Sequence, residues 1–190
     1  MNKEGFRTLY LKRRLALSEQ TCSLLSHTMQ ERFAANFDPS RLKVLHCYLP
    51  IAKNKEPDTW IIIDWLRMKF PDLRISLPRI NYMTEEIESI YFDDRYQLKK
   101  NKWGVDEPDL GEATRHEDID MVIVPLLVVD KYGNRVGYGK GYYDKFLAKC
   151  RPDCVKVGLS FFEPVDTIDA ISPSDIPVHY SVTPLEVHKF

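Results

Sequence analysis

Residues 130–150 read DKYGNRVGYGKGYYDKFLAKC, and this stretch holds the densest chemistry in the chain. Gly133, Gly137, Gly139 and Gly141 fall within nine positions and make up half of the eight glycines in the whole sequence. Glycine has no Cβ and tolerates positive φ, so a loop rich in it lets backbone amides close on an anion. A helix beginning directly after the loop adds unpaired N–H groups and the positive end of its dipole. Arg135 and Lys140 supply the cations a phosphate needs. Together these read as a phosphate cradle. The competing reading, a tight connection using glycine for turn geometry alone, leaves Arg135, Lys140 and Asp144 without a purpose.

Two familiar cradles do not fit. A Walker A loop needs G-x-x-x-x-G-K-S/T, but Gly141 follows Lys140 and Asn134 stands five positions before Gly139. The dinucleotide fingerprint G-x-G-x-x-G fails because Gly137-Tyr138-Gly139 continues as Lys140-Gly141-Tyr142. Asp144, in the first turn of the following helix, has two readings from residues alone. It can complement the helix dipole, or it can hold Mg²⁺ beside phosphates, since magnesium takes one or two carboxylates plus phosphate oxygens and water.

The elements that must position this loop alternate. The spacing predicts a basic amphipathic helix over 3–17, with Phe6, Leu9, Tyr10 and Leu17 near one face and Lys12, Arg13 and Arg14 elsewhere. Ser18 is a predicted N-cap for a helix in which Leu25, Met29 and Phe33 recur every four residues. Residues 44–49 read as a buried strand, and Thr59 as the cap of a helix running to Phe70. A short strand over 74–77 is expected to end at Pro78-Arg79, and 87–92 with a neighbour near Leu98 to form an added antiparallel pair. The apolar run 121–124 suits a central parallel strand covered on both faces. A helix over 142–149 and strands over 155–159 and 180–183 complete the pattern. This implies one α/β domain over residues 1–190. It is a three-layer α/β/α arrangement with an open, mostly parallel, Rossmann-like sheet and an extra antiparallel pair. Ligands of such sheets sit beyond the carboxyl ends of the strands, so the loops after Leu49, Leu77 and Val129 are the predicted site walls.

Bulk properties narrow the function. A chain of 190 residues with 44% hydrophobic and 29% charged residues can bury a full core unaided. Its net charge of −1 gives no field for a polyanion, which disfavours nucleic acid. The longest apolar stretches are far too short to span a bilayer, and the N-terminal stretch has no signal-peptide core, so the expected location is cytoplasmic. Cys22, Cys47, Cys150 and Cys154 form no C-x-x-C pair and are read as reduced thiols. None of the five histidines has a role assignable from sequence.

The run NRVGYGKGYYD resembles the signature of the 5-formyltetrahydrofolate cyclo-ligase family, also called 5,10-methenyltetrahydrofolate synthetases. Other stretches agree in the family's order along nearly the whole chain. Lys3 and Arg7 resemble its N-terminal basic pair, and YLPIAKNKEPDT its folate loop, with Glu56 in the acidic position. Leu77-Pro78-Arg79, KNKWGVDEP with Trp103, Val124-Pro125 with Asp130, and SPSDIPV are similar to further family segments. Lys53 and Lys55 depart from the family's less charged loop.

The resemblance implies an ATP-dependent ligase acting on a reduced folate, with Mg²⁺, and a monomer by default. Transfer of the γ-phosphoryl of ATP to the formyl oxygen would make it a good leaving group. The N10 nitrogen would then attack the activated carbon, giving 5,10-methenyltetrahydrofolate, ADP and phosphate. By the same resemblance Lys3, Arg7, Arg135, Gly137, Gly139, Lys140, Gly141, Tyr142 and Tyr143 would contact the nucleotide, with Arg135 and Lys140 catalytic. Ile51, Glu56, Trp103 and Tyr142 would bind folate, and Asp144 and Asp175 the metal. An alternative from another class is a folate- or nucleotide-binding module on the same fold without turnover. The complete charged set argues against it, because a pure binder is free to lose both aspartates.

Overall fold

The structure, a computed structural model, describes residues 1–95 and 97–190. Helix α1 (Lys3–Leu15) and α2 (Glu19–Asn36) precede strand β1 (Val44–Cys47), and α3 (Trp60–Lys69) leads to β2 (Arg74–Asn81) and β3 (Glu86–Tyr91). Two small ribbons interrupt the series: β4 (Leu98–Lys100) with β5 (Asp106–Pro108), and, after β6 (Met121–Pro125), β7 (Val128–Val129) with β8 (Arg135–Val136). Helix α4 (Tyr142–Lys149), β9 (Val155–Leu159), β10 (Tyr180–Val182) and β11 (Val187–Lys189) finish the chain.

The main sheet has seven strands in the order β11-β10-β9-β6-β1-β2-β3. The inner five run parallel, and β3 and β11 are antiparallel edges. From β1 the chain crosses through α3 to β2 on one side, and β6 then lies on β1's other side, so the order reverses between β1 and β6. At such a switch point neighbouring loops leave in opposite directions and open a crevice at the strands' carboxyl ends.

Strand alternation sorts the core. Leu45, Cys47, Ile75, Leu77, Met121, Ile123, Val157 and Leu159 face α2 and α3, meeting Met29, Phe33, Ile62, Ile63 and Leu66. Val44, Val122 and Val124 face the other way, against Phe146 and Leu147 of α4. This is why 121–124 is apolar without alternation: every residue is buried, on one face or the other. Each such aliphatic side chain contributes about 1.5–3 kcal/mol. Helix α1 packs separately, setting Phe6 and Tyr10 on Leu127, Val128, Val136 and Ile168.

Several expectations are corrected. Helix α1 stops at Leu15, where the Lys55 ammonium donates to the Leu15 carbonyl at 2.9 Å and also to that of Leu17, placing a cation at the helix's negative end. Ser18 does cap α2, its Oγ accepting from Thr21 N–H at 3.0 Å. Thr59 does not cap α3. It is fully buried, already helical, and its hydroxyl donates to the Tyr48 carbonyl at 2.7 Å, while Asp58 Oδ1 accepts from Trp60 N–H.

Strand β2 runs through Pro78 rather than stopping there. Ser89, opposite Pro78, turns its carbonyl outward to Thr114 N–H at 2.7 Å, so the pair is of the non-hydrogen-bonded kind. The donor that proline lacks therefore points past the end of β1, where no partner strand remains. The antiparallel pairing also differs. Strand β3 joins β2, whereas Leu98 belongs to the separate β4–β5 ribbon.

Candidate active site

A cleft of about 960 Å³ opens at the switch point. Its walls come from the ends of β1, β2 and β6, the turn of the β4–β5 ribbon, the glycine loop with the first turns of α4, the start of α1 and residues 173–176. Its volume suits a small-molecule ligand.

Asp130 shapes the glycine loop. Fully buried, its Oδ1 accepts from Tyr132 N–H (2.9 Å) and Asn134 N–H (3.0 Å), and its Oδ2 from Asn134 Nδ2 (3.0 Å) and Ile168 N–H (3.1 Å). Gly139 and Gly141 then take left-handed backbone, φ +83° and +71°, and Gly141 occupies the N-cap position of α4. With no capping side chain, the first N–H groups of α4 stay open towards the cleft. At Gly139 the close neighbour is Arg7, whose guanidinium would lie 2.8 Å from an added Cβ.

The cations are tied to protein partners, with one exception. Arg7 Nε donates to the Gly137 carbonyl at 3.0 Å and its Nη1 contacts Glu4. Lys3 pairs with Asp175, and Arg135, whose side chain is 6% exposed, pairs with Asp144 at 2.7 Å and reaches the Ile176 carbonyl. Lys140 is exposed, and among the described residues it meets no carboxylate. Asp144 Oδ1 also accepts from Ile176 N–H at 3.0 Å, so α4 is stitched to the segment bearing Asp175. Burial pushes the Asp175 carboxyl up, but the Lys3 ammonium and the Ser172 N–H outweigh it and hold it below the usual aspartate range. Asp144 engages only Oδ1 and Asp175 only Oδ2, which leaves one oxygen on each without a partner among the described residues. Two such oxygens beside an anion cradle fit a hard divalent cation that completes its shell with phosphate oxygens.

The deep wall holds Glu56, expected from the resemblance, together with Tyr138 and Arg14, which sequence did not connect to it. Glu56 is 7% exposed; its Oε2 accepts from Ile51 N–H at 2.6 Å and its Oε1 from the Tyr138 hydroxyl at 2.6 Å. Arg14, 2% exposed, donates to that hydroxyl and to the Asn54 carbonyl at 2.8 Å. Burial pushes the Glu56 carboxyl above the ordinary range, opposed by Arg14, Tyr138 and the Ile51 amide. Arg14 was expected on the solvated side of α1. It instead continues the stripe Lys3, Arg7, Tyr10, Arg14, spaced four, three and four, and that period was the available signal. Tyr48 and Tyr143 turn unpaired hydroxyls into the same interior, and burial pushes both phenols well up.

On the opposite side Trp103 is presented by a tight turn in which Asn101 Oδ1 accepts from Trp103 N–H (3.0 Å) and Val105 N–H (3.1 Å). Its ring meets Tyr142 edge-on at 6.0 Å and Tyr82 at 5.6 Å. The cleft thus gathers Lys3, Arg7, Ile51, Glu56, Trp103, Arg135, Gly137, Gly139, Lys140, Gly141, Tyr142, Tyr143, Asp144 and Asp175. Lys53 also lines it, whereas Lys55 is turned away to α1.

Chemically, the cleft pairs an anion-binding end with a desolvated carboxylate and flat aromatic faces. Comparison with known proteins identifies the family. A 5-formyltetrahydrofolate cyclo-ligase of Mus musculus is 28% identical over 156 residues, covering 78% of this chain and 74% of that protein. The Mycoplasma genitalium 5-formyltetrahydrofolate cyclo-ligase is 28% identical over 163 residues, 85% and 86% of the two chains. The solution structure of Aquifex aeolicus 5,10-methenyltetrahydrofolate synthetase superposes with a TM-score of 0.84 at 28% identity, covering 100% of this chain and 93% of that one. The fold also matches a Mycoplasma pneumoniae 5,10-methenyltetrahydrofolate synthetase, with a TM-score of 0.75, 24% identity, and 96% and 98% coverage. The model of the 5-formyltetrahydrofolate cyclo-ligase family matches residues 1–184, and the chain belongs to that family.

Proposed function

We propose that this enzyme closes 5-formyltetrahydrofolate to 5,10-methenyltetrahydrofolate at the expense of ATP, releasing ADP and phosphate. The observation that carries the reading is the single cleft joining the glycine loop and its cations to the buried Glu56 and the Trp103–Tyr142 aromatic wall. A formamide oxygen leaves poorly, so it must first become a phosphate ester. Phosphoryl transfer of this kind needs alignment and charge neutralisation more than a protein nucleophile.

The open amides of α4, with Lys140 and Arg135, bind the polyphosphate and stabilise charge on the transferred group. Lys3 and Arg7 hold α1 over the loop. Asp144 and Asp175 would hold Mg²⁺ through their free oxygens, and the ion would neutralise charge on the phosphates. Trp103 and Tyr142 offer faces for the pterin and benzoyl rings, and Ile51 with Glu56 forms the floor beneath the reacting nitrogens. We further propose that the enzyme acts on reduced folates as a monomer.

Purified protein given 5-formyltetrahydrofolate, ATP and Mg²⁺ should generate the near-ultraviolet absorbance of the methenyl product, and none without ATP. Folded protein that binds folate and ATP yet yields no such absorbance sinks the reading and returns the chain to the class of binding modules.

A further inference from the structure

Glu56 stands out because a charged side chain this deeply buried is rare unless something holds it. Four titratable groups face it: Arg14 from α1, Tyr138 from the glycine loop, Tyr48 from the end of β1, and Tyr143 from α4. Lys53 lies in its own loop and lines the same cleft. Among the described residues only Tyr138 donates a side-chain hydrogen bond to the carboxylate, at 2.6 Å, and Arg14 in turn donates to the Tyr138 hydroxyl. The phenol therefore accepts a charged hydrogen bond on one side and gives its own proton to a carboxylate on the other. A guanidinium polarising a phenol strengthens the phenol's outgoing bond. Tyr138 and Arg14 come from segments 124 residues apart, and the Arg14 guanidinium donates to this hydroxyl and to the Asn54 and Leu126 carbonyls.

We infer that Arg14 and Tyr138 are positioning residues that keep Glu56 ionised in its desolvated site, and that Glu56 takes the proton released by the N10 nitrogen of the folate during ring closure. The inference rests on the cyclo-ligase reading above and assigns its missing proton acceptor. The step balances. The N10 lone pair forms the new bond to the activated formyl carbon, the carbon–oxygen bond breaks, and phosphate leaves with that electron pair. The N10 proton passes to Glu56 Oε, from which solvent later recovers it. Without an ionised acceptor, the attacking nitrogen stays protonated in the adduct and is itself the better leaving group.

The sign of the test follows from the site. Burial raises the Glu56 carboxyl, and Tyr138 and Arg14 lower it, so removing the phenol raises it further. A base works only when ionised, so the acid limb of the rate profile moves to higher pH. The experiment measures the single-turnover rate of methenyl formation against pH for wild type, Tyr138→Phe and Glu56→Gln. Tyr138→Phe should shift the limb up by about one pH unit, about tenfold in rate on the limb, and regain the wild-type rate on the alkaline plateau. Glu56→Gln should lose the limb and at least about a hundredfold in rate at every pH. A uniform loss in Tyr138→Phe, or an unmoved limb, overturns the relay. If that variant does not fold, a Glu56→Gln protein that keeps the limb overturns it instead. Wild type without any ATP-dependent product overturns the cyclo-ligase reading itself, a failure distinct from an active enzyme with an unmoved limb.

Discussion

Alanine at three glycines of one loop should give three different outcomes, because the structure assigns each glycine a different constraint. Gly141 has φ +71° and nothing within 4 Å of an added Cβ, so Gly141→Ala meets only backbone strain. That strain is about 1–2 kcal/mol, or a Tm lower by about 2–8 °C in a chain of this length. Gly139 has φ +83° as well, but its Cβ would also lie 2.8 Å from Arg7 Nη2. The guanidinium must swing away and surrender its 3.0 Å bond to the Gly137 carbonyl, a charged hydrogen bond worth about 1.5–3 kcal/mol. Gly139→Ala should therefore be the least stable of the three and should weaken ATP binding through the displaced Arg7. Gly137 has neither a positive φ nor a neighbour within 4 Å. Gly137→Ala should leave the unfolding free energy within about 0.5 kcal/mol of wild type. Yet that open space faces the cleft, and if phosphate fills it, a methyl group there should raise the ATP KM about tenfold or more. Urea unfolding and initial rates against ATP, on the same preparations, read both quantities. A Gly137→Ala enzyme with wild-type KM for ATP would refute the placement of phosphate on this loop, and a Gly141→Ala protein less stable than Gly139→Ala would refute the strain argument.

Asp130→Ala should strip four hydrogen bonds from the loop base, leaving the N–H groups of Tyr132, Asn134 and Ile168 without this partner; the Ile168 N–H, which lies buried, alone costs about 1–3 kcal/mol. It should unfold in urea well before wild type, and a wild-type midpoint would show that the loop does not depend on this carboxylate. His46 is fully buried, its Nδ1 held by Ser89 Oγ at 2.7 Å, and burial, followed by nearby His116, lowers its pKa to about 3. Its folded pKa lies below the unfolded value, so the unfolded chain binds more protons, and stability falls as pH drops below about 6.5, by up to about 1.4 kcal/mol per unit. Unfolding free energies measured from pH 7 to 4 should drop less steeply in His46→Asn, and an equal slope in the two proteins would show that His46 does not set the acid sensitivity.

The glycine-loop half of the cleft was legible because its parts are contiguous. Gly133 to Asp144 spans twelve positions, so composition and spacing alone expose it. Helix α4 and the central strand β6 were legible for similar reasons, one by its abrupt glycine start and the other by its unbroken apolar run. The Arg14–Tyr138–Glu56 chain was not, because it joins positions 14, 56 and 138 through the tertiary fold, and an arginine at the end of a basic helix reads as solvated. Strand β2 was cut short for a different reason. Proline is a strand breaker only where its missing donor faces a partner; here it faces β1's side, and whether a partner stands there depends on where β1 ends. Thr59 misled similarly: the favoured capping residue type was drawn into the core by the Tyr48 carbonyl, and neighbouring Asp58 took over the exposed amide.

The pairing of the charges bears on how the cleft would receive a nucleotide. Arg135 is committed to Asp144 and the Ile176 carbonyl, Arg7 to the Gly137 carbonyl and Glu4, and Lys3 to Asp175. These contacts fix the donors before any ligand arrives, and a preorganised donor stabilises developing charge without first reorganising. A polyphosphate must therefore meet cations whose positions are already set by carboxylates, and its negative charge is partly answered in advance by those same carboxylates. That arrangement would weaken nucleotide binding unless something neutralised Asp144 and Asp175. Both residues line the same cleft, so a divalent cation held by them would relieve the repulsion and leave the arginines to the phosphates. Glu56 obeys the opposite logic. It is buried, held by the Ile51 amide and by Tyr138 with Arg14 behind it, and on the reading proposed above its charge would serve the carbon end of the reaction rather than the phosphate end.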